Sequence, residues 1–203
     1  MSFWERWSGL LGGVVAIVVL VALWQLFAEG EDLEARDSRG RTPLLVAAEE
    51  GRSDEVRALV VKGAQIDAGD DCDWTAMMRA ASRGHIDILT YLLDEGAAIN
   101  HTEKTGYTAL MGAAISNQLE AGKTLLERGA DPDIQEYEKG QTALMIAIRN
   151  HSPAFVSLLL SAGANVEVEN SRGQTARDLA LEASATDGRD LSEIRQMLGC
   201  DSD

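Results

Sequence analysis

The sequence predicts an all-α repeat protein, a solenoid of helix-turn-helix units with hairpin fingers, preceded by one N-terminal transmembrane helix. Three observations predict this class. A long apolar run lies near the N-terminus, a threonine-led pattern returns at spacings of 33 or 34 residues, and each copy carries signals for two helices. They divide the chain into an anchor at 1–28, an acidic linker at 29–36 and a repeat domain at 37–203, with four full repeats and a degenerate C-terminal capping repeat.

The anchor is the segment SGLLGGVVAIVVLVALWQLFA, residues 8–28, in which only Ser8 and Gln25 are polar. A helix of about 20 residues rising ~1.5 Å each spans the ~30 Å hydrocarbon core of a bilayer. Aromatic residues lie at both ends, where their rings favour the membrane interfaces. A cleaved signal peptide is the alternative, but Leu26 precedes Phe27 and Ala28, so an A-x-A-like cleavage site is missing.

Small residues on one face of this segment predict a helix-helix contact within the membrane. Gly9 and Gly13 form a GxxxG pattern, and Ala16 falls on nearly the same face, so another helix could approach closely. Glycine is also frequent in spanning helices that form no dimer, and this second interpretation stays open.

Two arguments about the orientation of the anchor oppose each other. In a count of Lys and Arg, Arg6 and the α-amine stand against Arg36, Arg39 and Arg41, which favours a cytoplasmic repeat domain. An anchor with so short an N-terminal tail, however, often behaves as an uncleaved signal that exports the rest of the chain. We expect the repeat domain on the periplasmic side, with the cytoplasmic face as the alternative.

The repeat domain is defined by five aligned copies of one pattern. Such a period indicates stacked units, each too small to bury its own apolar face. Each copy opens on a threonine whose hydroxyl can cap a helix N-terminus, and in the first copy Pro43 follows at the tolerated first helical position. The capping threonines are Thr42, Thr75, Thr108, Thr142 and Thr175.

Small and apolar residues define an inner and an outer helix inside each copy. In the first three copies paired alanines let the inner helices approach closely. In the first four copies two consecutive apolar residues, Leu-Val or Leu-Leu, give the outer helix its buried face, and a glycine ends that helix. Ser152 and Pro153 predict a second cap in the fourth copy, and the turn-rich remainder of each copy predicts a hairpin finger. Residues that tolerate left-handed backbone angles separate the two helices, namely Gly51, Gly84, Asn117 and His151.

The third copy contains glycine at two helical positions, Gly112 and Gly122, where it costs about 0.5–1 kcal/mol relative to alanine. A core side chain is missing at Gly122, because the aligned residues are Val56, Leu89 and Val156. Either neighbouring residues repack around the gap, or it is a soft point where the stack flexes or another element packs.

The order of these motifs resembles the ankyrin repeat. "TPL" or "TAL", then "AA", "G(H)", "LL" and "GAD" follow one another across most of residues 37–203. The resemblance implies an L-shaped stack of helix pairs that binds other proteins by its concave side. With its spanning helix, the chain also resembles the bacterial envelope ankyrin proteins. Apolar residues replace the histidine that the family usually has after its first motif, namely Leu45, Met78, Met111 and Met145.

Charge and motifs disfavour several classes of function. The net charge of −15, from 33 acids against 18 bases, repels the phosphates of nucleic acid and of anionic lipid. Cys72 and Cys200 lie far apart and give no disulfide framework. The histidines lack ligand spacing, and the loop with Asp70, Asp71 and Asp73 lacks that of a calcium site, so we expect no metal and no cofactor. No nucleophile or phosphate-loop motif is present, and we expect no catalytic residue.

The candidate binding residues lie on the predicted fingers and inner helices. The aromatic residues and arginines among them are candidates because these types are enriched at interface hot spots when exposed. Tyr137 is the strongest candidate, since the one spacing of 34 enlarges its finger. Trp74 and Tyr107 directly precede capping threonines, where packing against the adjacent finger is the alternative. The full set is Trp74, Arg79, Arg83, Tyr107, Ile115, Tyr137, Ile146 and Arg149.

These features predict a non-enzymatic binding or scaffolding module that is tethered to a membrane and holds a protein partner. The alternative is an accessory subunit of a membrane enzyme or transport complex, held through its transmembrane helix.

Overall fold

The computed structural model describes residues 32–186 and 191–200, with the backbone alone for 183–186. The predicted transmembrane helix, with Gly9, Gly13 and Ala16, and residues 29–31 of the linker lie outside these residues. None of the helices within the described ranges is long and apolar enough to cross a membrane.

Helices in alternating inner and outer rows form the regular structure of residues 33–186 and 191–200, and the described part contains no β-strand. Consecutive inner helices pack against each other, consecutive outer helices do the same, and the inner row packs more extensively. The inner helices are α1 (Pro43–Glu49), α3 (Ala76–Arg83), α5 (Ala109–Ile115), α7 (Ala143–Arg149) and α9 (Ala176–Thr186). The outer helices are α2 (Ser53–Val61), α4 (Ile86–Asp94), α6 (Leu119–Glu127), α8 (Pro153–Ser161) and α10 (Ser192–Met197).

The threonine caps are confirmed. In the first four repeats the threonine hydroxyl accepts a hydrogen bond from the backbone N–H three residues later, at 3.3–3.4 Å. Thr175 caps α9 in the same way and also donates to the carboxylate of Asp178 at 2.7 Å. Each inner helix therefore has one of its otherwise unpaired N-terminal donors satisfied.

Ser152 is the N-cap residue of α8 and Pro153 follows at the start of the helix, as predicted, but the serine side chain does not perform the capping. Its side chain makes no capping hydrogen bond to α8; the hydroxyl donates instead to the Asn117 side-chain oxygen at 2.6 Å. Asn117 and His151 occupy the turn between the two helices with φ of 52° and 54°, which confirms the predicted left-handed turns. The serine thus joins the turns of two neighbouring repeats.

The fingers between repeats are tight loops, without the strands of a regular hairpin in the described residues. Each finger is numbered by the repeat that it precedes. In the second finger the N–H of Asp70 donates to the Trp74 carbonyl at 3.0 Å, and the N–H of Asp73 donates to the Asp70 carbonyl at 2.8 Å. Asp73 has φ of 71° at the position that glycine fills in the other fingers. Backbone hydrogen bonds also join neighbouring fingers, for example from the Asp71 N–H to the Arg39 carbonyl at 3.2 Å.

The core runs between the two rows of helices and confirms the predicted packing. The paired alanines of the first three inner helices are fully buried. The residues that replace the family's usual histidine, Leu45, Met78, Met111 and Met145, are at most 1% exposed. Apolar packing therefore holds adjacent repeats together at these positions, as proposed from the sequence.

The gap at Gly122 is filled by Phe155 of the next repeat. A Cβ added at Gly122 would lie 3.0 Å from the Phe155 Cε2 and still closer to its Cζ, and the phenylalanine is fully buried. The space of the missing side chain is thus occupied by the ring, which supports the repacking interpretation over the soft point. Around Gly112 the nearest atom, Cη2 of Trp74, would lie at an ordinary 3.5 Å.

Candidate protein-binding surface

Each inner helix has a partly or fully exposed residue seven positions after its capping threonine. Ile115 is the one apolar residue of the row and is 50% exposed. The side-chain amide of Asn150 donates to the Ile115 carbonyl at 3.3 Å, so the ends of α5 and α7 are in contact. We name this row the inner-helix face; it consists of Glu49, Ser82, Ile115, Arg149 and Glu182.

In the first two repeats, two arginines beside this face share one carboxylate. Glu49 accepts a hydrogen bond from Arg41 at 2.8 Å and one from Arg83 at 2.9 Å. Burial by itself would raise the pKa of Glu49, but the hydrogen bonds from Arg83 and Arg41 outweigh it and hold the pKa below its ordinary value of 4.5. The candidate Arg83 is therefore exposed but already ion-paired.

Two further candidates, Trp74 and Arg79, contact each other. The Arg79 guanidinium lies 4.6 Å from the centre of a Trp74 ring, a cation-π distance, and donates to the nearly buried carboxylate of Asp70 at 2.7 Å. The Trp74 ring also lies beside Gly112 of the next repeat. Both side chains are half-buried, so they contribute to the joint between the second and third repeats.

Ile146 does not belong to the exposed surface, and its placement there is wrong. It is 7% exposed and packs within the core, because the position four residues after the capping threonine faces the neighbouring helices, as Gly112 does in the third repeat. Tyr107 is half-buried. Burial raises the pKa of Tyr107, and the nearby carboxylate of Glu136 adds to the effect.

Tyr137 lies at the tip of the enlarged fourth finger and is 69% exposed. Its N–H donates to the Thr105 carbonyl at 2.8 Å, and its hydroxyl lies 3.1 Å from the Thr102 hydroxyl. The ring thus rests along the preceding finger while most of its surface stays accessible. An accessible aromatic ring held in place by backbone is suited to an interface.

A cleft of about 330 Å³ lies where the fourth repeat meets the fifth. Three cationic side chains line it, those of Lys139, Arg149 and Arg172, together with one carboxylate, that of Glu182. Of these, only Arg149 was predicted as a binding residue. The remaining lining residues are Gln141, His151, Asn170, Ser171, Gln174 and Leu179.

Sequence reasoning missed the residues that shape the fingers. In the second finger one carboxylate oxygen of Asp70 accepts from the N–H of Cys72 at 2.9 Å and from that of Trp74 at 3.1 Å. The signal was available, since an acid or amide precedes every capping threonine by five or six residues. The same role is filled by Asp37, Asp70, Glu103, Glu136 and Asn170, which we name the finger-base residues.

The part of the chain that the structure describes contains no group of three or more His, Cys, Asp or Glu residues placed to hold a metal ion. Its side chains instead form a polar surface on a stack of helix pairs, and this architecture defines a repeat protein of the solenoid class. A family model of ankyrin repeats matches three overlapping stretches, residues 19–103, 64–136 and 110–191. The chain belongs to the ankyrin-repeat family. No curated protein is significantly similar to it.

Proposed function

We propose that this protein is a membrane-anchored, non-enzymatic binding module that holds a protein partner on its inner-helix face and fingertips. Ankyrin repeats generally mediate protein-protein interaction and are typically non-enzymatic. The observation that carries the proposal is Ile115, an apolar side chain half exposed in a row where the other repeats have polar residues. Its neighbour along the row, Arg149, leads into the cleft of the fourth and fifth repeats.

Site-specific photo-cross-linking in living cells tests the surface. A photoreactive residue at Ile115 or Tyr137 should cross-link to a partner, and one at Val61 should not. Val61 is a matched control, because it is also apolar and is 82% exposed, but it lies on the outer helix α2. Equal cross-linking from Val61, or none from Ile115 and Tyr137, would contradict the proposal.

The membrane anchor rests on the sequence of residues 8–28 alone. We propose that this segment spans the bilayer and that the repeat domain lies on the periplasmic side. A reporter that works only outside the cytoplasm, fused to the C-terminus, should be active in the membrane fraction. A silent reporter, with an active cytoplasmic one at the same position, would place the repeats on the cytoplasmic face.

A second candidate function follows from Gly9, Gly13 and Ala16, which give one face of the anchor a small-residue surface. Helices with such a face associate closely in membranes, as an accessory subunit of a membrane complex would. Scrambling residues 8–28 while keeping their composition separates the two functions. The binding module keeps its partner after scrambling, whereas the intramembrane subunit loses it.

A further inference from the structure

The cations on or beside the inner-helix face have different partners at its two ends. Acids outnumber bases 33 to 18 in this chain, and at the N-terminal end Arg41, Arg79 and Arg83 each contact a carboxylate. At the C-terminal end, Lys139, Arg149 and Arg172 form no ion pair with any described residue. We name the cleft that these three side chains line the basic cleft.

The scaffold holds the basic cleft in a defined shape. The Arg149 guanidinium donates to the side-chain oxygen of Gln141 at 2.9 Å, and Gln141 is itself 5% exposed. Its N–H is fixed by the Glu136 carboxylate at 2.9 Å. Arg149 is therefore oriented by a neutral, nearly buried amide and not by a carboxylate.

The two fingers that carry the other cations are joined to each other. The backbone N–H and the hydroxyl of Ser171 both donate to the Lys139 carbonyl at 2.9 Å. The N–H of Arg172 donates to the side-chain oxygen of Asn170 at 2.9 Å. These bonds fix the backbones of Lys139 and Arg172, which line the same cleft as Arg149 of α7.

We propose that the basic cleft binds an acidic peptide segment of the protein partner, through carboxylates that pair with Arg149, Arg172 and Lys139; this rests on the proposed function. A guanidinium matches a carboxylate with two parallel hydrogen bonds. The net negative charge of the chain repels such a segment as a whole, so three cations gathered in one cleft favour pairing there and specify the register of binding. Ile115, the next residue along the inner-helix face, offers apolar contact to the same segment.

A nucleic acid fits this site poorly. Its affinity depends on many phosphate contacts along an extended positive surface, whereas the cations here are gathered in one cleft of about 330 Å³. The carboxylate of Glu182, which accepts a hydrogen bond from Gln174 at 2.7 Å, lines the same cleft. A short peptide can place its acidic groups against the three cations and keep clear of that carboxylate.

The test measures binding of a fluorescent hexaglutamate peptide to the full chain in neutral detergent, by anisotropy at low salt, with hexaglutamine as the uncharged probe. The double variant Arg149→Gln, Arg172→Gln should weaken hexaglutamate binding by about tenfold or more, the effect of losing two close charge pairs. Hexaglutamine should bind neither protein. Hexaglutamate that binds no better than hexaglutamine would overturn the proposal.

The matched control is Arg39→Gln with Lys123→Gln, which removes the same charge from two exposed side chains outside the cleft. It should change hexaglutamate binding by less than about twofold, as expected for rim charges screened by solvent. An equal loss in this control would show non-specific attraction and overturn the site. Lys139→Gln serves as a second test of hexaglutamate binding, which it should also weaken. The Lys139 side chain makes no hydrogen bond in the described structure, so its substitution should leave the fold intact.

The cross-linking experiment separates failure of this inference from failure of the proposed function. Cross-linking from Ile115 that persists in the Arg149→Gln, Arg172→Gln variant, together with no hexaglutamate binding, leaves the binding module in place and removes the acidic segment. Absence of cross-linking from Ile115 and from Tyr137 would contradict the proposed function and, with it, the acidic-segment inference.

Discussion

Fourteen residues after the capping threonine, the first repeat has Val56 and the second has Leu89, whereas the third has Gly122 and takes the Phe155 ring from the fourth. The ion pairs on the surface also differ between these repeats. Arg83 of the second repeat is paired with Glu49 of the first, but Arg149 of the fourth has only a neutral amide partner. The first two repeats therefore each have their own core residue at this position, and the Arg83–Glu49 ion pair joins them. The third and fourth repeats depend on each other for their core, and cations without an ion pair line the cleft where the fourth repeat meets the fifth.

Phe155→Ala should have the largest effect on this comparison. Removing the ring empties the space at Gly122 as well as its own, so the free energy of unfolding should fall by about 3–5 kcal/mol. Urea unfolding followed by circular dichroism measures the loss. Ile88 of the second repeat occupies the position aligned with Phe155, and Ile88→Ala should lower the free energy of unfolding by about 2–5 kcal/mol. A Phe155→Ala loss below that of Ile88→Ala would show that the ring does not fill the extra space.

Gly122→Ala should destabilise the protein although alanine is the better helix former. The gain in helix propensity is about 0.5–1 kcal/mol, but the new methyl group would overlap the Phe155 ring, and overpacking a core costs about 1–3 kcal/mol. The same substitution at Gly112, where neighbours lie at 3.5 Å or beyond, should be neutral or stabilising in urea unfolding.

The sign of the Gly122→Ala effect should reverse in a Phe155→Ala background, because the methyl group then enters the vacated space. A double-mutant cycle measures this coupling between the two residues. Additive effects of the two substitutions would mean that the ring and the glycine do not share one site.

The features that the sequence predicted correctly are those set by neighbours along the chain. A threonine before an inner helix predicts its own cap, and Asn117 or His151 predicts its own left-handed turn, because both depend on a few adjacent residues. The partnership of Gly122 with Phe155 and the burial of Ile146 depend on the next repeat, about one period away. The basic cleft was missed for the same reason, since stacking brings Lys139 and Arg172 to the cleft that Arg149 lines.

Glu49→Gln should break the charge pairing of the first two repeats. Arg41 and Arg83 would lose their shared carboxylate, and loss of a partly buried, charge-assisted pair costs about 1–3 kcal/mol, toward the lower end because both arginines reach solvent. The folded-state pKa of Glu49 is lowered. Its contribution is therefore present above the ordinary value of 4.5 and is lost as the pH falls below it. Urea unfolding at neutral and acid pH measures both effects.

Ser82→Ala is a suitable comparison for Glu49→Gln on the same row, since its hydroxyl donates only to the carbonyl of Arg79, within its own helix. It should leave the pH dependence of unfolding unchanged. If Glu49→Gln also left the pH dependence of unfolding unchanged, the claim that ion pairs with Glu49 stabilise the first two repeats would be wrong.

Asp37→Asn should have the smallest effect on the free energy of unfolding. It removes the charge of Asp37 but keeps an oxygen that can accept the backbone hydrogen bonds of the finger. Hydrogen bonds from Arg41, by side chain and then backbone, lower the pKa of Asp37 from 3.8 to about 2. The unfolded chain therefore takes up a proton before the folded one, and the stabilisation, present above pH 3.8, is lost as the pH falls toward about 2. In the variant this acid-dependent part should disappear from unfolding curves measured across that range.

The first finger should nevertheless survive in the Asp37→Asn variant. Asn170 performs the same task in the fifth finger, where its side-chain oxygen accepts from the N–H groups of Arg172 and Gln174 at 2.9 and 3.0 Å. An amide oxygen is thus sufficient for the backbone bonds, and only the ion pair with Arg41 is lost. Amide hydrogen exchange at Arg39 and Arg41 checks this. Rapid exchange at both would mean that the carboxylate charge, and not the shape of the acceptor, holds the finger.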